Sequence, residues 1–216
     1  MRNLARAFCL LTMAALQACA GDKPVTLDLS GRDMTFSRSG TYDLVTLEGA
    51  AMTTIVGAPA LPAVAVNLVA PQGMRVTGVT CRPVTTEDVE GTFLIMPVQP
   101  PQTMSAPTKP AFVPPDPVVY SSDTPYPPIL CRPAGQNSMQ GYNIASLLVY
   151  PMQYSPKSRT LRFHRALTLD LTMEPADLGY LPVGHRSKEV LEAVESDVRS
   201  IVLNPDDVSR FAPKEQ

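Results

Sequence analysis

The sequence contains no tryptophan, and its aromatic share is only 6%. That argues against a carbohydrate-binding surface built from stacking platforms. Charge of one sign is also missing. With 18 basic and 20 acidic residues the net charge is -2, so no electrostatic case exists for nucleic acid or an anionic membrane. Histidine is represented only by His164 and His185. No metal-ligand spacing, phosphate-cradling glycine loop, Ser/His/Asp set or paired-carboxylate signature is present. Asp206-Asp207 and Glu87-Asp88 read as solvated acids, and both histidines as surface residues. No apolar run reaches the about 20 residues that a membrane-spanning helix takes.

Proline, in contrast, is plentiful. The 23 prolines are roughly twice the average share of about 5%, which implies a chain rich in loops and sheet edges. About half of them fall between Pro97 and Pro133, including Pro100-Pro101, Pro114-Pro115 and Pro127-Pro128. A segment so poor in free amides cannot sit in the middle of a sheet. It reads as a long surface excursion, with Val118–Tyr120 on an edge.

The N-terminus reads as an address label. Arg2 and Arg6 precede an apolar stretch, Ala7–Leu16, of signal-peptide length, and Ala18-Cys19-Ala20 has small residues where a signal peptidase cuts. Residues 1–20 are therefore expected to be a signal peptide, and the chain to be exported. Leu16-Gln17-Ala18-Cys19 also resembles a bacterial lipobox, in which Cys19 would carry a lipid. Membrane contact would then come only through that lipid. Cys81 and Cys131 share a local context, Cys-Arg-Pro, after an apolar run whose parity matches Val79 and Ile129. Either they form a disulfide in an oxidising compartment or they are two buried thiols acting as small hydrophobes.

Strand periodicity fills the mature chain. Val25, Leu27 and Leu29 alternate with polar residues, Met34–Phe36 is a short strand and Tyr42–Leu47 another. Ala63–Ala70 is a continuous apolar run. Met74–Cys81 follows the Pro71–Gly73 turn, and Gly78 marks a bulge. Thr85–Gly91 reads as a polar connection and Thr92–Met96 as a short buried strand. Ser146–Tyr150 is apolar, and Tyr154–Ser158 reads as a turn. Leu161 and Phe163, then Leu167, Leu169, Leu171 and Met173, alternate at period two, as on one face of a half-buried antiparallel sheet. After Met173 the period changes. Ser187 is a helix N-cap, Val190, Leu191, Val194, Val198, Ile201 and Val202 recur at helical spacing, and Pro205 stops the helix. That apolar stripe packs either on its own sheets or on another domain. The expected architecture is an all-β antiparallel sandwich, jelly-roll-like, over residues 21–175. A long proline-rich loop interrupts it, and a C-terminal amphipathic helix and linker occupy 176–216.

Several of these turn and proline patterns occur together in a known family. Gly57-x-Pro59-x-Leu61-Pro62, an aliphatic strand to Pro71-x-Gly73, Pro125-x-Pro127, and Gly141 leading to Tyr150-Pro151-x-x-Tyr154-x-Pro156 resemble the N-terminal propeptide of gingipain-type cysteine peptidases. Val202-Leu203-Asn204-Pro205 resembles the linker that precedes the peptidase domain in that family. The resemblance runs from about Pro24 to Phe211. It implies a β-sandwich prodomain, without cofactor or metal, that assists folding of a gingipain-type peptidase and keeps it latent until proteolysis. It places the catalytic Cys and His in a peptidase domain outside these 216 residues, so this polypeptide is expected not to be an enzyme. Gingipain specificity for basic residues further implies an Arg or Lys presented to the specificity pocket. Lys109 in the excursion is the first candidate, and Arg132 and Arg159, beside turns, are the others. The rival reading is an exported lipoprotein or adhesin-like module that uses the same sandwich for surface binding.

Overall fold

The computed structural model describes residues 24–101, 110–180 and 184–213. Its strands are β1 (Val25–Asp28), β2 (Met34–Ser39), β3 (Tyr42–Leu47), β4 (Ala51–Met52), β5 (Pro62–Ala70) and β6 (Met74–Val89). After a short helix α1 (Pro117–Tyr120) come β7 (Cys131–Met139), β8 (Tyr142–Val149), β9 (Met152–Ser155) and β10 (Thr160–Pro175), then helix α2 (Lys188–Ile201). One antiparallel sheet has the order β1-β10-β6, with β9 also on β10, and a second has the order β4-β5-β8-β7. The hairpin β2-β3 lies beside them. The chain is thus an antiparallel β-sandwich whose inward residues, among them Leu27, Val45, Leu68, Leu147, Tyr154, Phe163 and Leu169, form one core.

β5 and β8 are nearly continuous apolar runs because both of their faces are covered. Val64, Val66, Leu68, Leu147 and Val149 face the sandwich core. Val69, Tyr142 and Ile144 pack beneath Val194 and Val198 of α2, with Val202 and Val208 beyond it. The helix stripe is therefore divided. Val194 and Val198 are buried, while Val190, Leu191 and Ile201 remain exposed. The residues read as a linker are built into the fold. Leu203 N–H donates to the Asn67 carbonyl at 2.9 Å, and the Asn204 side chain bonds both N–H and C=O of Val69, at 2.9 and 3.0 Å. Asn204 thus satisfies main-chain groups at the open edge of β5.

Other expectations are corrected in detail. Thr85–Val89 is strand, not connection, and extends β6 to pair with β10. Its polar sequence fits an exposed stretch whose acids cross to that neighbour: Asp88 meets Arg162 at 2.8 Å and Glu87 meets Arg165 at 2.6 Å. Around Leu94–Met96 there is no strand ladder: Ile95 makes one isolated bridge to Asp43 and the Met96 carbonyl accepts from Ala60 N–H, although Ile95 is fully buried. Val118–Tyr120 is helical, because Asp116 caps Val118 N–H and Val119 N–H and Pro117 fits the first helical position. Tyr154 and Ser155 belong to β9, not to the turn, and Ile129 is exposed.

β10 keeps its parity through a double bulge. Between His164 and Leu167 the register slips once on each strand, so Phe163 and Leu167 both face inward. The displaced His164 is buried, not on the surface as its polar neighbours imply. Gln153 Nε2 donates to the Pro127 carbonyl at 2.9 Å, which turns Gln153 Oε1 toward His164 Nε2, 3.2 Å away. Nε2 therefore carries the proton, and Nδ1 accepts from the Thr86 hydroxyl at 2.8 Å.

Burial, and secondarily Arg162, hold the imidazole pKa below its ordinary 6.5. The folded state then binds fewer protons than the unfolded state between that lowered value and 6.5, so stability falls as pH drops through this window. In urea unfolding the midpoint is expected to decline as the pH falls below His164's ordinary 6.5, and to decline less in His164→Gln. An equal decline in both proteins would place the titrating group elsewhere.

Candidate functional site

The excursion between Pro97 and Pro133 leaves the sandwich and returns through a series of specific clamps. Gly57 lies at the first, with φ +84, a conformation that suits glycine. Its N–H donates to the Val98 carbonyl, and its carbonyl accepts from Asp116 N–H, both at 2.9 Å. A Cβ there would stand 3.7 Å from Asp116 Cβ and the Pro114 carbonyl. The outgoing and returning arms thus meet across one residue. Gln99 forms the second clamp as a side-chain rung. Its Nε2 donates to the Val113 carbonyl and its Oε1 accepts from Val113 N–H, both at 2.9 Å. That rung replaces a backbone ladder in a stretch where prolines remove donors.

Farther along, aromatic side chains fasten the returning arm to the sheet. Tyr120 OH donates to the Ile95 carbonyl at 2.6 Å, and its ring meets Tyr154 edge-on at 6.3 Å. Tyr126 and Tyr154 exchange both backbone hydrogen bonds at 2.7 Å. Burial raises the phenol pKa of Tyr120, Tyr126 and Tyr154. All three remain neutral, and the Tyr120 and Tyr154 hydroxyls act as donors. The arm then enters β7 at Cys131, whose sulfur is bonded to Cys81 of β6. That bond joins the edges of the two sheets.

The sequence-derived site residues are not brought together. Lys109, the preferred candidate, lies outside the described residues and directly precedes Pro110, where the returning arm begins. Arg132 is exposed on the edge strand β7, with Nε donating to Tyr150 OH at 3.0 Å and a terminal nitrogen to the Pro133 carbonyl. Arg159 occupies the β9–β10 turn at φ +58 and is exposed. Cys19 and the whole of residues 1–20 also lie outside the described residues. The clamps themselves were not anticipated. Asp116-Pro117 carries a readable helix-start signal, whereas nothing in the sequence marks Gln99 as a rung.

The described cysteines, Cys81 and Cys131, are both oxidised, and the His164 ring nitrogens are both engaged. Among the described residues no group of three His, Cys, Asp or Glu side chains could hold a metal ion. A cavity of about 710 Å³ lies where Leu68, Leu169, Leu171 and Phe211 converge, with Arg82 and Asp170 in its wall. Those two form an ion pair at 2.9 Å.

Residues 32–207 match the family model Propeptide_C25. The chain belongs to the C25 propeptide family. The C25 propeptide fold is also that of solved structures. A complex of Porphyromonas gingivalis RgpB pro- and mature domains is similar with a TM-score of 0.62 at 15% identity, over 90% of this chain and 95% of that one. A structure concerned with zymogenic latency of gingipain K from Porphyromonas gingivalis is similar with a TM-score of 0.53 at 22% identity, over 69% of this chain and 84% of that one. No curated protein matches the sequence significantly. Residues 32–207 are accordingly a non-catalytic C25 propeptide domain.

Proposed function

We propose that this C25 propeptide binds a gingipain-type cysteine peptidase domain, holds it latent and assists its folding, with the proline-rich excursion as the inhibitory element. The observation that carries the reading is the double clamp at the excursion's base. Gly57 and Gln99 tie the two arms together within a few residues of Pro101 and Pro110. A rigid scaffold that offers a short connected segment is the physical requirement for entering a cleft without paying the full cost of ordering on binding. Lys109 is the side chain assigned to the specificity pocket. Arg132 already donates to Tyr150 OH and to the Pro133 carbonyl, and Arg159 occupies the β9–β10 turn outside the excursion.

Membership in a family whose solved relatives include gingipain proteins is consistent with export. Within this reading residues 1–20 direct export, and a lipid on Cys19 would make the domain membrane-anchored.

The test is titration of a gingipain-type peptidase domain from the same source with residues 21–216, following hydrolysis of a basic-residue peptide. Reversible inhibition is expected, with Lys109→Ala weakening it by about tenfold or more, the scale of a binding hot spot. Absence of inhibition and of any complex would overturn the reading in favour of a surface-binding sandwich. Undiminished inhibition by Lys109→Ala, with loss in Arg132→Ala or Arg159→Ala, would move the contact to that residue.

A further inference from the structure

The outer edge of β2 is left open. Glu48 N–H donates to the Asp33 carbonyl at 2.9 Å, and the register runs without a bulge from Met34 opposite Leu47 to Ser39 opposite Tyr42. Bonded pairs alternate along an antiparallel ladder. Thr35, Ser37 and Ser39 therefore bond β3, and Met34, Phe36 and Arg38 direct their N–H and C=O groups away from it. Asp43 shows the same parity on the other strand. Its N–H donates to the Leu94 carbonyl and its carbonyl accepts from Met96 N–H, on the far side of β3. Among the described residues no hydrogen bond reaches the outward main chain of Met34, Phe36 or Arg38.

The other edges each carry a device against pairing. β1 has four residues and β4 has two. β5 is capped by Asn204, and β9 is covered by the main chain of Tyr126. β6 holds Pro83, Glu87 and Asp88, and β7 holds Pro133 beside a bulge. β2 has no proline, and its one charged residue, Arg38, is neutralised by Asp43 at 3.1 Å. Phe36 is 43% exposed on this edge, with its ring stacked on Phe93 at 5.4 Å.

We propose that this edge pairs with β2 of a second copy of the chain, antiparallel about a two-fold axis, so that two hairpins form one four-stranded sheet. Met34 and Phe36 share a face with the buried Val45 and Leu47 opposite them, and Thr35 and Ser37 lie on the wet face. A strand added here must continue that alternation, and β2 itself has it. The outward groups fix the register. With Phe36 opposite Phe36 of the second copy, Met34 stands opposite Arg38, and all three outward residues exchange both bonds. The two Phe36 rings then form a cross-strand aromatic pair. The two Arg38 positions are four residues apart along the strands, about 14 Å, so like charges do not face each other. This contact is independent of the inhibitory reading above.

Sedimentation velocity of residues 21–216 over a range of concentrations tests the pairing. An edge of this length lies at the small end of specific interfaces, so wild type is expected to be monomeric at about 1 μM and mainly dimeric at about 100 μM. Phe36→Asp sets two carboxylates opposite each other at the axis and is expected to weaken dimerisation by about tenfold or more. Cross-linking under mild oxidation reads the register without that substitution. Opposed bonded residues have Cα atoms about 5.5 Å apart, within disulfide reach, whereas the two Ser39 positions would lie about 20 Å apart. Phe36→Cys is therefore expected to give a disulfide-linked dimer and Ser39→Cys to stay monomeric. A wild type that stays monomeric throughout, with Phe36→Cys cross-linking no faster than Ser39→Cys, overturns the proposal. A monomeric wild type whose Phe36→Asp variant binds a gingipain-type peptidase domain more weakly would overturn it in favour of the peptidase as occupant. A dimer that persists in Phe36→Asp, or that cross-links through Ser39→Cys and not Phe36→Cys, would remove the contact from this edge or this register and overturn the assignment.

Discussion

Reduction of the Cys81–Cys131 bond, or its removal in Cys81→Ser/Cys131→Ser, is expected to destabilise the domain by about 4 kcal/mol on the chain-entropy estimate for a loop of this length. The two cysteines are separated by 50 positions and their Cα atoms by 5.9 Å, a separation that native disulfides span routinely. What the bond holds matters as much as the loop it closes. Cys81 lies on β6, which is paired to β10 in one sheet, and Cys131 on β7, which is paired to β8 in the other. At this shared edge two side chains add polar ties between the sheets. Gln136 Oε1 accepts from Val76 N–H and its Nε2 donates to the Met74 carbonyl, both at 2.8 Å, and Asn143 Nδ2 donates to the same carbonyl at 2.9 Å. Without the disulfide the edge depends on these side chains and on packing.

With a urea m-value of about 2 kcal/mol/M, a loss of this size moves the unfolding midpoint down by about 2 M. Unfolding with and without reductant, with thiols counted in parallel, reads the effect directly. An unchanged midpoint with both thiols free would sink the prediction. Because Cys131 begins the strand into which the excursion returns, loss of the bond should also weaken inhibition of a peptidase. An oxidising compartment is where such a bond persists, in keeping with export.

The strands were legible where one face is wet or where both faces are fully covered. Tyr42–Leu47 and Leu167–Met173 show period two because their outer faces carry Thr and Asp. The apolar run of β5 reads correctly because α2 and the core cover its two faces. Failures occur where side chains replace backbone. Ile95 is buried through single bridges, not a ladder, so no length of alternation announces it. Tyr154 reads as part of a turn because Pro156 and Ser158 follow it, yet its ring is wholly buried. His164 looked solvent-facing by parity, but a compensating pair of bulges moved it beneath Pro151, Gln153 and Thr86.

The candidate site was legible only in outline. Proline density marks the excursion, because missing amides prohibit a central strand. The Gly57 clamp and the Gln99 rung depend on contacts between segments far apart in sequence, and no local pattern encodes them. The same holds for the C-terminal residues. Val202–Pro205 reads as a linker through its resemblance to the family's sequence, and only the fold reveals Asn204 satisfying the edge of β5.

Tyr154 is the residue on which the excursion's returning arm and the sandwich core both depend, and Tyr154→Ala is expected to cost about 3–5 kcal/mol, the range for deleting a large buried aromatic. The side chain is fully buried among core residues, its hydroxyl donates to the Phe93 carbonyl at 2.8 Å, and its ring receives Tyr120 edge-on. Removing the ring opens a cavity beneath α1 and releases Tyr120, whose own hydroxyl ties the arm to Ile95. Tyr154→Phe separates the two contributions. It keeps the ring and loses one part-buried hydrogen bond, at a cost of about 1 kcal/mol. Both variants retain the main-chain exchange with Tyr126, so the arm should loosen from the Tyr120 side first. Urea unfolding is therefore expected to rank wild type above Tyr154→Phe above Tyr154→Ala. Tyr154→Phe, still folded, should inhibit a gingipain-type peptidase less tightly than wild type does. Equal midpoints for wild type and Tyr154→Ala would remove Tyr154 from the core. A destabilised Tyr154→Phe that inhibits at full strength would show that the inhibitory geometry is set by the Gly57 and Gln99 clamps alone.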